Sequence, residues 1–595
     1  MNRYHWLRSA GLGLVVLLSF RVVAGGVERP TKQRINVILL VLDQLRADRL
    51  HCYGNVRHTS PNIDGLAQRG VRFARFYSVA PWTAPSYATL MTSLYPSRHG
   101  ITLFWRPGVP LIDEKIPRLA EVFGAHGYAT AAFVNNGVAG RQLTSRGFAE
   151  YYEPQQRSNA VNITQRTNQP KDYSAPGTIP RVATWLDQHQ QQPFFLFVLL
   201  FEPHSPYDPP PEHDLFKSDA YPEETDTGYD LKKGHLKRLA MLGDSKAIER
   251  LYQLYDGKIH FVDFYVGQLY AHLQKLGLDK NTVIALTSDH GELLYSHPRD
   301  YQTFDHRSLY DTNLHVPLIL AGPNLPQGRV IDVLASNLDS APTLLDLAGL
   351  PPFPGAQGQT LVPLLQGQVR AVNRHVFAEE DTGVPSRSVR TKRFKLILNL
   401  WTNQKQLFDL THDPKELQDV ARQNPVVTRE LEAQLAEWMR HNQPSREEQR
   451  RRYRAYAHFG IDMLVDDQTT GVGLQLNGQG WHSDENPDDG HWAGGCFWIE
   501  PGDGSKTAAW RSDNPLFGTF KIFAYHGKLP THKLATNAPF TVVTETGSKT
   551  IRVDFNQGAG QWNLLGTFTD PRYVSLRNAA DGVILVDAVK FEQLE

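Results

Sequence analysis

The N-terminal part of the chain contains four short apolar runs that each end at a polar or turn residue: "INVILLVLD" ending at Asp43, "PFFLFVLLFE" at Glu202, "TVIALTSD" at Asp289 and "VPLILAGP" at Pro323. Apolar residues follow one another in these runs without alternation, which is typical of strands buried on both faces. Between these runs, at 116–127 and 248–276, apolar residues recur with the spacing of a helix. The pattern predicts an α/β domain whose mainly parallel sheet is sandwiched by helices.

The pattern changes twice towards the C-terminus. From residue 374 short strands alternate with turns, as in "SVRTKRFKLILN" and "KQLFDLTHDP", and a helix is predicted at 426–441. We expect 374–440 to be a small α+β subdomain of the large domain, and the charged stretch within 441–460 to be a linker. Beyond it, short alternating runs such as "FGTFKIFAYH" and "FTVVTET" predict a β-sandwich over 461–595.

Composition narrows the class of protein. The 595 residues carry 62 basic and 62 acidic side chains, so no net charge draws the chain to nucleic acid. Two cysteines exclude a disulfide framework. Arginines followed by an apolar run and small residues predict a signal peptide at 1–24, and hence a secreted or periplasmic protein. The apolar run is shorter than the ~20 residues of a spanning helix, so no membrane span is expected.

Polar residues at the strand ends suggest a metal site. Asp43 is followed by Gln44, and Asp289 by His290. Because ligands bind beyond the carboxyl ends of parallel strands, these side chains are expected at one edge of the sheet. They could hold one divalent cation, with the hydroxyl of Thr83 as a further ligand. Taken alone, a strand-ending aspartate is more often a helix cap or turn former than a metal ligand, and only the recurrence of such residues at strand ends favours a site.

The order of several motifs resembles the sulfatase family of the alkaline phosphatase superfamily. "NVILLVLDQLRADRLHCYGN" is followed by "APWTAPSYATLMTSLYPSRHG", "EPHSPYDPP", "TSDHGE" and "RTKRFKLILN", and the resemblance covers about 35–440. It implies a sulfatase-like catalytic domain. In the last segment, "QWNLLGTF" and "ILVDAVKF" resemble the golvesin C-terminal domain, which implies a β-sandwich related in form to carbohydrate-binding modules.

The resemblance assigns roles to individual residues. It implies one metal, with calcium the first candidate and manganese, magnesium and zinc as others, bound by Asp43, Gln44, Asp289 and His290. The Asp-Gln pair is similar to that of phosphonate monoester hydrolases. It also implies that Thr83 occupies the nucleophile position, that His204 and His306 contact the ester and leaving group, and that the amide of Asn135 could bind an ester oxygen.

One departure from the family changes the expected mechanism. The sulfatase signature is C-x-P-S-R, whereas this chain reads Thr83-Ala-Pro-Ser-Tyr87. Threonine is not converted to formylglycine, so none is expected. A covalent ester on Thr83 has no second hydroxyl to expel the anion, so water must attack the phosphorus or sulfur atom. The sequence therefore predicts a metal-dependent hydrolase of sulfate or phosphate esters acting through Thr83, with phosphoester chemistry the better match.

Two other functions stay open at this point. A phospho-group transferase of the cell envelope would share the threonine, although such relatives usually carry spanning helices. A catalytically inactive glycan-binding protein would use the last domain, where Trp481, Trp492 and Trp498 could stack on sugars or be buried. The partner expected for the enzyme is an anionic ester, such as a sulfated or phosphorylated glycan.

Overall fold

The computed structural model describes residues 34–594 except for several segments: 103–111, 138–139, 154–173, 219–239, 241–243, 295–307, 353, 382–384, 401–402, 443–461, 466–473, 485–495, 512–515 and 517. The predicted signal peptide, His306, Trp492 and most of the predicted linker therefore lie outside the described residues.

The large domain is built on an eight-stranded sheet of order β4-β3-β5-β1-β6-β7-β2-β8. Its strands, numbered along the chain, are β1 Asn36–Leu42, β2 Gly70–Tyr77, β3 Ala129–Val134, β4 Glu150–Tyr152, β5 Phe194–Leu200, β6 Thr282–Thr287, β7 Leu318–Ala321 and β8 Arg329–Ser336. Only β7 runs antiparallel to its neighbours β6 and β2 in this sheet. The predicted mainly parallel sheet is confirmed, and all four apolar runs contain strands.

Helices cover both faces of this sheet. The helices of this part of the chain are α1 Pro61–Arg69, α2 Thr83–Thr92, α3 Pro96–His99, α4 Leu119–Ala125, α5 Arg141–Thr144, α6 Ala175–His189, α7 Ser245–Lys275, α8 Asp311–Leu314, α9 Ser340–Leu347 and α10 Val362–Leu365. One further helix, α11 Pro425–Asn442, belongs to the subdomain that follows. Alternate residues of β1 enter two separate cores: one contains residues of α2, α4 and α9, and the other contains residues of α1, α6 and α7. Each buried aliphatic side chain stabilises the fold by about 1.5–3 kcal/mol.

The subdomain predicted after residue 374 is a four-stranded antiparallel sheet of order β12-β11-β10-β9. Its strands are β9 Val376–Glu380, β10 Ser386–Arg390, β11 Phe394–Asn399 and β12 Lys405–Asp409. Helix α11 packs Leu431, Leu435 and Trp438 against this sheet, as their helical spacing predicts. The amide of Glu379 donates to the carbonyl of Val79, so the subdomain touches the segment that leads to Thr83.

The C-terminal segment forms antiparallel sheets around its own core, in agreement with the predicted β-sandwich. Its strands are β13 Asp462–Val465, β14 Leu474–Asn477, β15 His482–Asp484, β16 Cys496–Ile499, β17 Thr507–Arg511, β18 Thr519–Tyr525, β19 Ala538–Thr544, β20 Ser548–Val553, β21 Trp562–Thr569, β22 Pro571–Arg577, β23 Ile584–Val586 and β24 Ala588–Leu594. Cys52 and Cys496 are free thiols. Within the described ranges, every helix is too short or too polar to cross a bilayer.

Candidate active site

The ends of β1 and β6 bring three predicted metal ligands together. These strands are parallel neighbours, so the residues that follow them leave the sheet at the same edge. Asp43 follows β1, and Asp289 and His290 follow β6. All three side chains are buried, and one potential ligand atom from each lies within 4.8 Å of the other two.

Each of the two carboxylates has one oxygen that accepts no hydrogen bond from the described residues, although Asp289 Oδ2 lies 3.3 Å from His290 Nε2. Asp43 Oδ2 accepts a hydrogen bond from the Asn136 amide. Asp289 Oδ1 accepts from the backbone amides of Gln44 (3.1 Å) and His290 (2.8 Å). Asp43 Oδ1 and Asp289 Oδ2 accept no hydrogen bond from any described residue. Unpaired buried carboxylate oxygens are costly, so this pair fits a cation placed between them.

The electrostatics of Asp43 and His290 agree with that fit. Burial, with the negative charge of Asp289, raises the pKa of Asp43 well above its usual value. Burial lowers the pKa of His290 and favours its neutral form. Its Nδ1 lies 2.8 Å from the carbonyl oxygen of Gly291, which can only accept a hydrogen bond. The ring proton therefore sits on Nδ1, and Nε2 offers a lone pair to a metal.

Thr83 lies at the mouth of this cluster as the first residue of α2. Its side chain is buried, and Oγ1 is 3.3 Å from His290 Nε2. Ser86, one helical turn after Thr83, donates a 2.7 Å hydrogen bond to the carbonyl of Asp289 and accepts one from Asn337. These bonds fix α2 to the loop that follows β6. Helix N-termini favour negative charge, so an anionic ester beside Thr83 would be stabilised there.

Tyr87 lies on the same face of α2 as Thr83, four residues further along. Its hydroxyl is buried and has no hydrogen-bond partner in the described part of the chain. Burial, together with the charges of Asp289 and Asp43, raises the pKa of this phenol, so it stays neutral. A neutral hydroxyl therefore stands where the resemblance leads us to expect an arginine.

Of the two histidines predicted to contact the ester and the leaving group, the structure describes His204 but not His306. His204 is half-buried, its ring packs on Phe201, and its Nδ1 lies 2.6 Å from the carbonyl of Ser205, which leaves Nε2 as its other polar atom. His306 lies outside the described residues, so its predicted contact has no structural counterpart.

Asn135 is oriented by its neighbours. Thr178 donates its hydroxyl proton to the carbonyl of Ser174 and therefore accepts from Asn135 Nδ2, at 2.8 Å. The amide nitrogen is thus engaged, whereas Oδ1 has no partner among the described residues. The amide nitrogen carries two N–H groups, so the one not donated to Thr178 is available for an ester oxygen, as the predicted role requires.

Sequence reasoning did not find three residues that hold the site together: Asn136, Ser86 and Asn337. Asn136 is the second asparagine of "FVNN", next to Asn135, and Ser86 is the serine of "TAPS", three residues after Thr83. Neither has a sequence signal of its own that separates it from the predicted site residue beside it. Asn337 has no local signal, because it reaches Ser86 across 251 positions of sequence.

Two of the three tryptophans considered for sugar binding, Trp481 and Trp498, have contacts within the C-terminal domain. Trp481 is buried and donates to the carbonyl of Asn477. Trp498 has ring contacts with His482 and with His532, at 4.3 and 4.4 Å between centroids.

Comparisons with known proteins give the family. The model of the Sulfatase family matches residues 35–350, more than half of the chain. A second model, that of the N-sulphoglucosamine sulphohydrolase C-terminal region, matches residues 299–443, and the Golvesin C-terminal domain model matches residues 463–593.

Individual relatives agree. An arylsulfatase of Clostridium perfringens is 25% identical over 442 residues, which cover 64% of this chain and 89% of the relative. An endo-4-O-sulfatase of Bacteroides thetaiotaomicron is 26% identical over 431 residues, 63% of this chain and 83% of the relative. The phosphonate monoester hydrolase of Agrobacterium radiobacter has a similar fold, with a TM-score of 0.57 at 24% identity, over 69% of this chain and 96% of that structure. The chain therefore belongs to the sulfatase family of the alkaline phosphatase superfamily, is a sulfatase-like ester hydrolase, and ends in a golvesin C-terminal domain.

Proposed function

We propose that the chain is a metal-dependent hydrolase of sulfate or phosphate esters in which Thr83 is the covalent nucleophile. One observation carries the proposal. The Thr83 hydroxyl, at a helix N-terminus, lies 3.3 Å from the imidazole of a cluster whose two carboxylates each keep one unpaired buried oxygen. A nucleophile, a cation site and an anion-favouring helix end are thus combined.

The cation site comprises Asp43, Asp289 and His290, and we add Gln44, which is buried beside them, as the fourth ligand. Oxygen ligands outnumber nitrogen in this set, which makes calcium the first candidate and keeps magnesium, manganese and zinc as alternatives. A bound divalent cation would lower the pKa of a neighbouring hydroxyl and neutralise charge on the ester.

The chain's own groups then carry the steps. Thr83 loses its hydroxyl proton to solvent, Oγ1 attacks the sulfur or phosphorus atom, and the bond from that atom to the alcohol oxygen breaks. His204 and His306 donate hydrogen bonds to the ester and a proton to the departing alcohol. Water opens the threonine ester at the same sulfur or phosphorus atom. Phosphorus tolerates this second attack well, which favours a phosphoester over a sulfate ester.

We further propose an anionic polysaccharide as substrate and an exported location. The support is the endo-4-O-sulfatase among the relatives, the golvesin C-terminal domain and the predicted signal peptide at 1–24. We also propose that residues 35–440 form the catalytic domain and that residues 461–595 form a separate last domain. Asn135 would bind an ester oxygen through the second N–H of its amide, since the first is donated to Thr178.

The experiment assays the purified chain on matched aryl sulfate, phosphate monoester, phosphodiester and phosphonate esters, with each of the four cations in turn. Thr83→Ala should abolish whichever activity is found, while Thr83→Ser, which keeps a hydroxyl, should retain part of it. Thr92→Ala is the matched control, because Thr92 is a buried threonine of the same helix whose hydroxyl donates to the carbonyl of Ala88, within that helix. Equal activity of Thr83→Ala and Thr92→Ala would contradict the assignment.

A further inference from the structure

The backbone at Gln44 is held in an unfavourable conformation. Its φ of 62° lies in the left-handed region, which residues with a side chain other than Asn or Asp seldom adopt. The turn places Gln44 directly after Asp43 and lets its amide donate to Asp289 Oδ1 at 3.1 Å. Such a conformation persists only where surrounding contacts fix it.

Tyr255, in the middle of α7, supplies those contacts. Its buried hydroxyl donates to the carbonyl of Gln44 at 2.5 Å and accepts from the amide of Arg46 at 3.0 Å. The hydroxyl oxygen of Tyr255 therefore bridges a carbonyl and an amide of the Gln44 turn. Because α7 is a 31-residue helix packed into the core, the hydroxyl is fixed relative to the sheet.

A second tyrosine, Tyr207, links Tyr255 to the loop after β6 and to the loop that carries His204. Tyr207 packs edge-on against Tyr255, with ring centroids 5.6 Å apart. Its hydroxyl donates to the carboxylate of Glu292, three residues after Asp289, at 3.2 Å. Tyr207 belongs to the loop that carries His204. The turn after β1, the loop after β6 and the His204 loop therefore meet at two adjacent buried tyrosines.

We infer that Tyr255 is a positioning residue of the metal site: its hydroxyl holds the Gln44 turn in the left-handed conformation that aligns Asp43, Gln44 and Asp289. The inference rests on the cation site of the proposed function. Without the hydroxyl, the carbonyl of Gln44 and the amide of Arg46 lose their shared partner, and the turn can relax away from the geometry that binds the cation. Groups that orient metal ligands typically contribute 10- to 100-fold to affinity.

The competing explanation is that Tyr255 only stabilises the fold, and the chain offers a matched control. Tyr53 also places one hydroxyl between a backbone carbonyl, that of Phe73, and a backbone amide, that of Leu318, each at 3.0 Å. Its partners lie within β2 and β7 rather than in the turns that carry the proposed ligands. Tyr53→Phe therefore measures the general cost of removing such a hydroxyl.

The test strips the full chain of metal with a chelator and titrates it with Ca²⁺, Mg²⁺, Mn²⁺ and Zn²⁺ separately by calorimetry. Melting temperatures of the stripped proteins are recorded in parallel. Tyr255→Phe should raise the dissociation constant of the cation that binds wild type by about tenfold or more, whereas Tyr53→Phe should leave it close to that of wild type. The two variants should lose similar amounts of melting temperature.

Each outcome decides between the explanations. Equal dissociation constants for Tyr255→Phe and Tyr53→Phe would overturn the inference while leaving the proposed cation site intact. Failure of Tyr255→Phe to fold, when Tyr53→Phe folds, would overturn it as well, because the hydroxyl would then serve the whole fold. If wild type binds none of the four cations, the cation site of the proposed function fails, and this inference fails with it.

Discussion

Replacing Asp43 with asparagine should stabilise the metal-free protein and abolish its stabilisation by metal. Asp43 and Asp289 are fully buried, with ligand atoms no more than 4.8 Å apart. Two unit charges at 4.8 Å repel by about 3.5 kcal/mol in an effective dielectric of about 20. Asparagine keeps an oxygen for the Asn136 amide and offers its own amide to Asp289, so the charge is removed without losing that hydrogen bond.

The expected change in melting temperature follows from the size of the domain. Unfolding about 400 residues carries an entropy of about 0.8 kcal/mol/K, so 3.5 kcal/mol corresponds to a rise of about 4 °C in chelator. The rise should shrink as the pH falls, because a protonated Asp43 carries no charge. A cation at 100 times its dissociation constant stabilises wild type by about 2.7 kcal/mol, or about 3 °C, and should not stabilise Asp43→Asn.

Scanning calorimetry in chelator and in saturating metal measures both effects. Asp256→Asn is the control, because Asp256 is an equally buried aspartate that is paired with Arg49 and Arg57. Removing its charge takes this carboxylate from Arg49 and leaves Arg57 paired with Glu249, and it should lower the melting temperature in both conditions. The reasoning is refuted if Asp43→Asn melts below wild type in chelator, or if metal raises the melting temperature of both proteins equally.

Three other outcomes are expected. Burial raises the pKa of Glu416 from 4.5 to about 7, so its contribution to folding stability should grow as the pH falls from about 7 to about 4.5, and Glu416→Gln should remove that part of the pH dependence of the melting temperature. Tyr87→Phe removes a hydroxyl without a partner among the described residues, so denaturant titration of the ligand-free chain should give an unchanged free energy of unfolding or a gain of up to about 1 kcal/mol. His204→Gln should lower kcat/KM in initial-rate assays by about 100-fold without changing the dissociation constant of the metal.

The sequence predicts those parts of the fold that local patterns determine. Strands β1, β5 and β6 are buried on both faces, so their apolar runs are uninterrupted and visible. The reversed direction of β7 was not predictable, because strand direction depends on pairing with β6 and β2 rather than on composition. Strand β2 was missed because "GVRFARFY" mixes charged and apolar residues near one edge of the sheet.

The candidate site also contains residues that the sequence predicts and residues that it does not. Asp43, Asp289 and His290 were predicted to meet because each follows a parallel strand, and β1 and β6 are neighbours. The groups that orient them come from remote positions. Asn136 reaches Asp43 across 93 positions, and Tyr255 reaches Gln44 across 211. Neither contact has a local sequence pattern, because its two partners meet only once the chain has folded.

The most direct test of the central claim is to trap the covalent intermediate. The chain is mixed with an ester that it hydrolyses, quenched in acid within one turnover, and digested for mass spectrometry of the peptide that contains Thr83. The account predicts that this peptide carries one added sulfo or phospho group at Thr83, and that the group is absent from Thr83→Ala treated in the same way. Rapid hydrolysis by wild type with Thr83 unmodified at every quench time would contradict it.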